Sequence, residues 1–211
     1  MPQSSLNTEG VKGMLLLIAD RIIAAEPYLS QADRDLGDGD HGTGMARGFT
    51  AVKAKLEADG LDSISKALSA AGMAMISSMG GASGAIFGTM FRNGGKALEG
   101  RDAFDSTALA DFLEAALSGV MSRGGAKPGD KTMIDALHPA AVKARESANL
   151  PLPEAAIAVA AAAEEGKEAS KPMIAQFGRA KTLGEGCIGF PDAGACSVVI
   201  ILEAVRDYIL A

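Results

Sequence analysis

Tryptophan is absent from this chain, and only two tyrosines and seven phenylalanines occur in 211 residues. A β-sandwich is therefore a poor match. There are two cysteines, Cys187 and Cys196, with no metal-ligand spacing and no neighbouring histidine. That argues against a thiolate metal centre, and two buried or free thiols in a reducing compartment are expected in preference to a disulfide. Basic residues are outnumbered, 20 to 26, giving a net charge of −6. An acidic chain is a poor partner for nucleic acid or an anionic membrane surface. Long apolar runs are lacking too. The longest, Ala155 to Ala163, sits between Glu154 and Glu164 and is too short to span a bilayer. No secretory signal pattern is visible, so a cytoplasmic location is expected.

What the chain does have is alanine, leucine, methionine and isoleucine, with 48% of residues apolar. Apolar positions recur at helical spacing. Val11, Leu15, Ile18 and Ile22 share one face of a helix over Val11–Ile23. Further helices are predicted over Met45–Ala58, Ile64–Met79, Ala85–Leu98, Thr107–Met121, Thr132–Ala148, Glu154–Phe177 and Cys196–Leu210. Convincing strands and internal repeats are missing. The expectation is an all-α single domain over residues 1–211, an antiparallel bundle of about eight helices with short turns.

The breaks between these helices are of two kinds. "GDGDHGTG", "GGASG", "KPGDKT" and "DAGACS" precede the second, fourth, sixth and eighth helices, whereas "EGRDAF" and "ANLPLP" lack the pattern. In an up-and-down bundle every second helix starts at the same end. The four polar, glycine-rich segments should therefore gather at one rim, each presenting free N–H groups and the positive end of a dipole. Such a rim suits an anion, phosphate above all.

The stretch "DRDLGDGDHGTGMARGF", Asp33 to Phe49, packs four aspartates and five glycines between two apolar helices. Helix N-termini offset one or two carboxylates, not a cluster. A hard divalent cation offsets more, and Mg²⁺ completes its shell with phosphate oxygens. Asp33, Asp38 and Asp40 are the candidate ligands, while Asp35 is expected to be a capping or solvated residue. Other motif readings fail. "GDGDHG" follows no strand, an EF-hand from Asp33 would need glycine at Asp38 and glutamate at Gly44, and "GGKALEG" is not a Walker A loop.

Taken together and in this order, "DRDLGDGDHGTGMARGF", "GGASGAIFGTMF", "SRGGAKPGDKTMIDAL" and "GRAKTLGEGCIGFPDAGACSVV" resemble the nucleotide-binding L subunit (DhaL) family of dihydroxyacetone kinases, over essentially the whole chain. The resemblance implies an antiparallel eight-helix barrel binding Mg–ADP or Mg–ATP at one end. It implies metal ligation, with two Mg²⁺ ions, by Asp33, Asp38 and Asp40. Nucleotide contacts are implied for His41, Gly42, Thr43, Gly44, Ala82 and Ser83, with Gly124 and Met133 near the adenine and ribose. Arg179 is implied near the phosphates as the catalytic cation, and Asp192, Ala193 and Gly194 close over the nucleotide. The acceptor would be a small ketose held covalently by a histidine of a separate K subunit. The donor would be exchangeable ATP, or bound ADP rephosphorylated by a phosphotransferase-system protein. A nucleotide-sensing module without catalysis is the alternative. The chain departs from the family's usual residues at Gly44, where asparagine is common, at Ala193 for proline and at Cys196 for threonine.

Overall fold

The computed structural model describes residues 4–57 and 60–211. Its helices are α1 (Thr8–Ala24), α2 (Glu26–Arg34), α3 (His41–Leu56), α4 (Ile64–Ser78), α5 (Gly81–Ala97), α6 (Ser106–Gly124), α7 (Ile134–Glu146), α8 (Leu152–Ala169) and α9 (Ala193–Leu210), with a 3₁₀ segment over Arg179–Cys187 between the last two. Among the described residues the only extended pairing is one antiparallel bridge between Leu6 and Phe104.

Eight of the helices form a closed ring. α1 packs on α3, then each helix packs on the next through α9, and α9 returns to α1. Helix α2 stands outside this ring, against α3 and α9. The expected all-α, eight-helix arrangement is therefore present, with α2 and the 3₁₀ segment added to it.

Small residues set how closely the ring packs. Added to Gly72 of α4, a Cβ would lie 2.5 Å from the Gly88 carbonyl oxygen and 2.6 Å from the Arg92 nitrogen of α5. The two helices thus meet backbone to backbone. Helices α7 and α8 meet in a related way. Pro139 lacks the N–H that would bond the Asp135 carbonyl, and Gly166 of α8 packs there, where its Cβ would fall 2.1 Å from that oxygen. The interior is filled by alanine and aliphatic side chains from Leu6 to Ile209. An aromatic row, Phe49–Phe91–Phe112, packs edge to face with centroids 6.0 Å apart.

Several boundaries differ from the expected ones. Helix α2 falls in a stretch expected to be loop, started by Pro27 in its first turn. The helix expected over Glu154–Phe177 ends at Ala169, because Pro172 cannot continue it and Ser170 turns the chain back, accepting from Met173. Helix α7 begins at Ile134 rather than Thr132, since Lys131 has φ 57°. Helix α9 begins at Ala193, three residues before Cys196, capped by Asp192. Ala58, the expected end of the helix from Met45, lies outside the described residues.

Candidate functional site

Helix capping differs between the two sets of helix starts, with α8, uncapped, and α9, capped by Asp192, as the exceptions. Asn7, Ser63 and Asp105 each accept a bond from the first turn of α1, α4 and α6, respectively. The N-termini of α3, α5 and α7 have no such bond from their cap residues. These three starts, together with that of α9, line one cavity of about 670 Å³. The alternation expected from the turn sequences is thus realised in space. The first N–H groups of α7 are taken by Thr132 and Met133 and that of α3 by Asp33, whereas the first turn of α5 is left to an anion.

The acidic cluster sits at the edge of this cavity. One carboxylate oxygen from each of Asp33, Asp38 and Asp40 lies within 4.8 Å of the others. Asp33 is oriented by the His41 backbone N–H, which donates to Oδ2 at 3.2 Å. Three oxygens so close together repel unless a cation lies among them, and a hard, oxygen-seeking divalent ion fits the donor set. Asp35 is apart. It is the C-cap of α2 and its carboxylate accepts from Gln31 at 3.0 Å.

Arg179 faces the cluster from the 3₁₀ segment, its Nη2 2.8 Å from Asp38 Oδ2, and it does not pair with Glu185. The pair is exposed, with the Arg179 side chain 69% accessible, so it holds the segment by no more than about 1 kcal/mol. Arg47 brings a second guanidinium to the wall, donating to the Met79 carbonyl at 3.0 Å. Gly80 and Gly81 both have positive φ, 72° and 60°. Only glycine takes two such steps without strain, and they turn the chain so that Ala82 and Ser83 reach the cavity.

His41 is buried in the wall. Ser197 donates to the Ala193 carbonyl, which leaves its oxygen to accept from His41 Nε2 at 2.8 Å. Burial pushes the imidazole below its ordinary value, against upward pulls from Asp33 and Asp40. The ring is neutral at pH 7 and hydrogen-bonded inward, an arrangement for holding the start of α3 rather than for taking a proton from a substrate. Its ring centroid lies 6.0 Å from that of Phe87, which with Ile86 and Met133 makes the cavity's apolar side.

Gly44, Ala193 and Gly194 also line the cavity, and a Cβ on Gly44 would meet nothing within 4 Å. Asp192 lines it too, accepting from the Ala195 N–H at 2.8 Å. Burial pushes its carboxyl up to about 6, opposed by that bond and helped by Asp135. Three of the residues singled out in the sequence are not in the lining. Gly42 turns toward α2, where its Cβ would be 2.3 Å from the Glu26 carbonyl oxygen. Thr43 bonds the Glu26 carboxylate at 3.2 Å. Gly124 stands behind Ile86, with 3.2 Å from its Cβ position to Cδ1. Cys196 is also outside. Its buried thiol accepts from Tyr28 Oη at 3.4 Å.

Sequence reading missed Arg47 and Lys131. Arg47 follows Gly44 by three residues and so shares its helix face, a usable signal. Lys131 gives none. It is 2% exposed, and its Nζ donates to the carbonyls of Ser170, Lys171 and Phe190 at 2.8, 3.1 and 2.7 Å. Burial pushes this ammonium below its usual value, while Cys187, Asp192 and Asp135 pull it up.

Comparison with known proteins bears on this geometry. The model for the DAK2 domain matches residues 35–207. The chain is 38% identical over 201 residues to the PEP-dependent dihydroxyacetone kinase, ADP-binding subunit DhaL, of Escherichia coli, covering 94% of this chain and 96% of that one. It is 37% identical over 190 residues to an L-erythrulose kinase of Pectobacterium atrosepticum, covering 88% of this chain and 32% of the relative. The solved dihydroxyacetone kinase of C. freundii in complex with AMP-PNP and Mg²⁺ superposes with a TM-score of 0.73 at 26% identity, over 98% of this chain and 35% of the other. This chain thus spans about a third of those two longer proteins. With the family model matching from the acidic loop through most of α9, and similarity running nearly end to end with a relative of its own length, the chain belongs to the DAK2 domain family.

Proposed function

We propose that this chain is the nucleotide-carrying subunit of a dihydroxyacetone-type kinase, a single domain that presents Mg–ADP or Mg–ATP to a small ketose held elsewhere. The observation that carries the reading is the convergence of the starts of α3, α5, α7 and α9 with three carboxylates at one cavity. The names of the relatives support it, and so does the Mg²⁺ and AMP-PNP complex of the structural neighbour.

In this reading Asp33, Asp38 and Asp40 would hold Mg²⁺, two ions in all, and the metal would supply charge neutralisation for the phosphate tail. Backbone N–H groups of Gly81, Ala82 and Ser83, and of Gly42 and Thr43 in the first turn of α3, bind phosphate oxygens, while the His41 N–H stays on Asp33 and Gly44 lines the wall beside them. Met133, Ile86 and Phe87 cover the base, with Gly124 leaving Ile86 its room. Asp192, Ala193 and Gly194 close the site from α9. Arg179 lies where charge builds on the transferred phosphoryl group. The chain's work is thus positioning and electrostatic stabilisation rather than covalent chemistry.

The acceptor site belongs to a partner. Of the two histidines, His41 is neutral and committed to Ser197, and His138 is half-buried in α7 away from the cavity. The partner is a ketose-binding K subunit, and the phosphoryl source is ATP or a phosphotransferase-system protein acting on bound ADP. No described helix is long and apolar enough to cross a membrane, and a cytoplasmic place fits such partners.

The test is a coupled assay with the chain alone and with a K subunit, comparing ATP with a phosphotransferase donor. Ketose phosphorylation only with the K subunit is expected. Turnover by the purified chain alone would overturn the partner requirement. Binding without transfer under every donor would instead favour a nucleotide sensor.

A further inference from the structure

Between α8 and α9 the chain makes an excursion, residues 170–192, that carries Arg179 to the cavity mouth. Little packing holds this strap. Its own core is Leu36, Ala175 and Cys187, with Ala180 beside them, and the Arg179–Asp38 pair is exposed. Its two ends, however, meet at one atom. Lys131 Nζ donates to Ser170 and Lys171 at the start of the strap and to Phe190 near its finish. An ammonium has three protons, and all three are used.

Three features show that this lysine is there for its side chain. It is buried without a carboxylate partner among the described ion pairs, so its hydrogen bonds all go to carbonyls, with Asp192 and Asp135 acting on it only from a longer distance. Two of those carbonyls follow the last turn of α8, the negative end of a helix dipole. Its backbone also takes φ 57°, the only left-handed residue other than glycine among those described. Glycine would suit that backbone better. Although Lys131 borders the cavity, its protons are committed to the strap and none is left for a phosphate.

We propose that Lys131 is a positioning residue: it closes the base of the strap and thereby sets where Arg179 stands over the nucleotide site. Further bonds at the base are Gly189 N–H to the Lys171 carbonyl at 2.9 Å and Gln176 N–H to the Asp130 carbonyl at 3.0 Å. They depend on the same closure. This inference rests on the proposed nucleotide site for its kinetic consequence but not for its structural one.

The experiment is Lys131→Met, which keeps the stem and removes the charge. Hydrogen exchange without nucleotide should show the Gln176 and Gly189 amides opening at least about ten-fold faster, the loss expected for charged hydrogen bonds, with α4 and α6 unchanged. Mg–ADP release should accelerate by a similar factor. Because Lys131 acts through Arg179, Lys131→Met and Arg179→Ala should be non-additive in release rate. Unchanged strap exchange would overturn the proposal. So would additive effects, or a Lys131→Met chain that fails to fold, since a strap tether is dispensable to the ring. If the unaltered chain binds no Mg–ADP, the functional reading fails, and the exchange comparison still decides the tether.

Discussion

Two glycines on the same turn of α3 should respond oppositely to the same substitution. At Gly42 an added Cβ would stand 2.3 Å from the Glu26 carbonyl oxygen, 2.4 Å from Ser30 Oγ and 2.6 Å from the Ser30 nitrogen. Two of these atoms are backbone of α2, so relief requires α2 or the α3 start to move. Overpacking of this kind costs about 1–3 kcal/mol. Replacing glycine in a helix returns about 0.5–1 kcal/mol, so Gly42→Ala should lose about 1–2 kcal/mol net. For a chain of this size that is a fall in Tm of about 2–8 °C. At Gly44 a Cβ meets nothing within 4 Å. Gly44→Ala should keep the full helix gain and raise Tm by about 1–4 °C. Differential scanning calorimetry of both variants without nucleotide measures the contrast. Gly42→Ala should also weaken nucleotide binding, because the displaced turn carries His41 and Asp40. Equal shifts in the two variants, or a stabilised Gly42→Ala, would refute the packing of α3 on α2.

Other expectations follow from the same geometry. Asp38→Ala or Asp40→Ala should abolish phosphoryl transfer in the reconstituted assay, whereas Asp35→Ala, which loses only a bond from Gln31, should be mild; equal losses from all three would break the ligand assignment. Mg–ADP at a hundredfold excess over its Kd should add about 2.7 kcal/mol, or about 5–11 °C in Tm, and EDTA should remove that gain; a gain that survives EDTA argues against carboxylate-held metal. Asp192 is raised from 3.8 to about 6, chiefly by burial, so the folded chain holds this proton more tightly than the unfolded one. Its contribution to stability is full below about 3.8 and is lost as pH rises through about 6. Asp192→Asn keeps a capping oxygen and removes the titration. The Tm of the unaltered chain relative to this variant should therefore fall between about pH 4 and pH 6.5, and a constant or rising difference would show the carboxyl is not desolvated.

The ring was legible because its helices are built from periodic apolar faces. Val11, Leu15, Ile18 and Ile22, read as one face, are all buried. The rim was legible because its segments differ in composition from the intervening turns, which holds wherever anion binding and tight turning both call for glycine and small polar residues. Helix α2 was not. It buries only Leu29, Ser30 and Ala32, so nine residues offered too little periodicity to stand out beside the acidic run. The strap was not legible either. It has no repeat of its own, and what orders it are a lysine ammonium on distant carbonyls and a cysteine, Cys187, whose sulfur accepts from Ala175 at 3.3 Å. Bonds from one side chain to carbonyls some forty to sixty positions away leave no trace in local sequence. The directions of Gly42 and Thr43 were equally hidden, since both sit in a rim motif yet turn toward α2.

Everything proposed for the rim cavity depends on its holding a nucleotide through metal on Asp33, Asp38 and Asp40. Calorimetric titration of ADP into the chain tests it, in Mg²⁺ and in EDTA, with Asp38→Ala in parallel. One site per chain is expected in Mg²⁺, with binding lost in EDTA and in the variant. Absence of binding in Mg²⁺, or equal affinity under all three conditions, would contradict it.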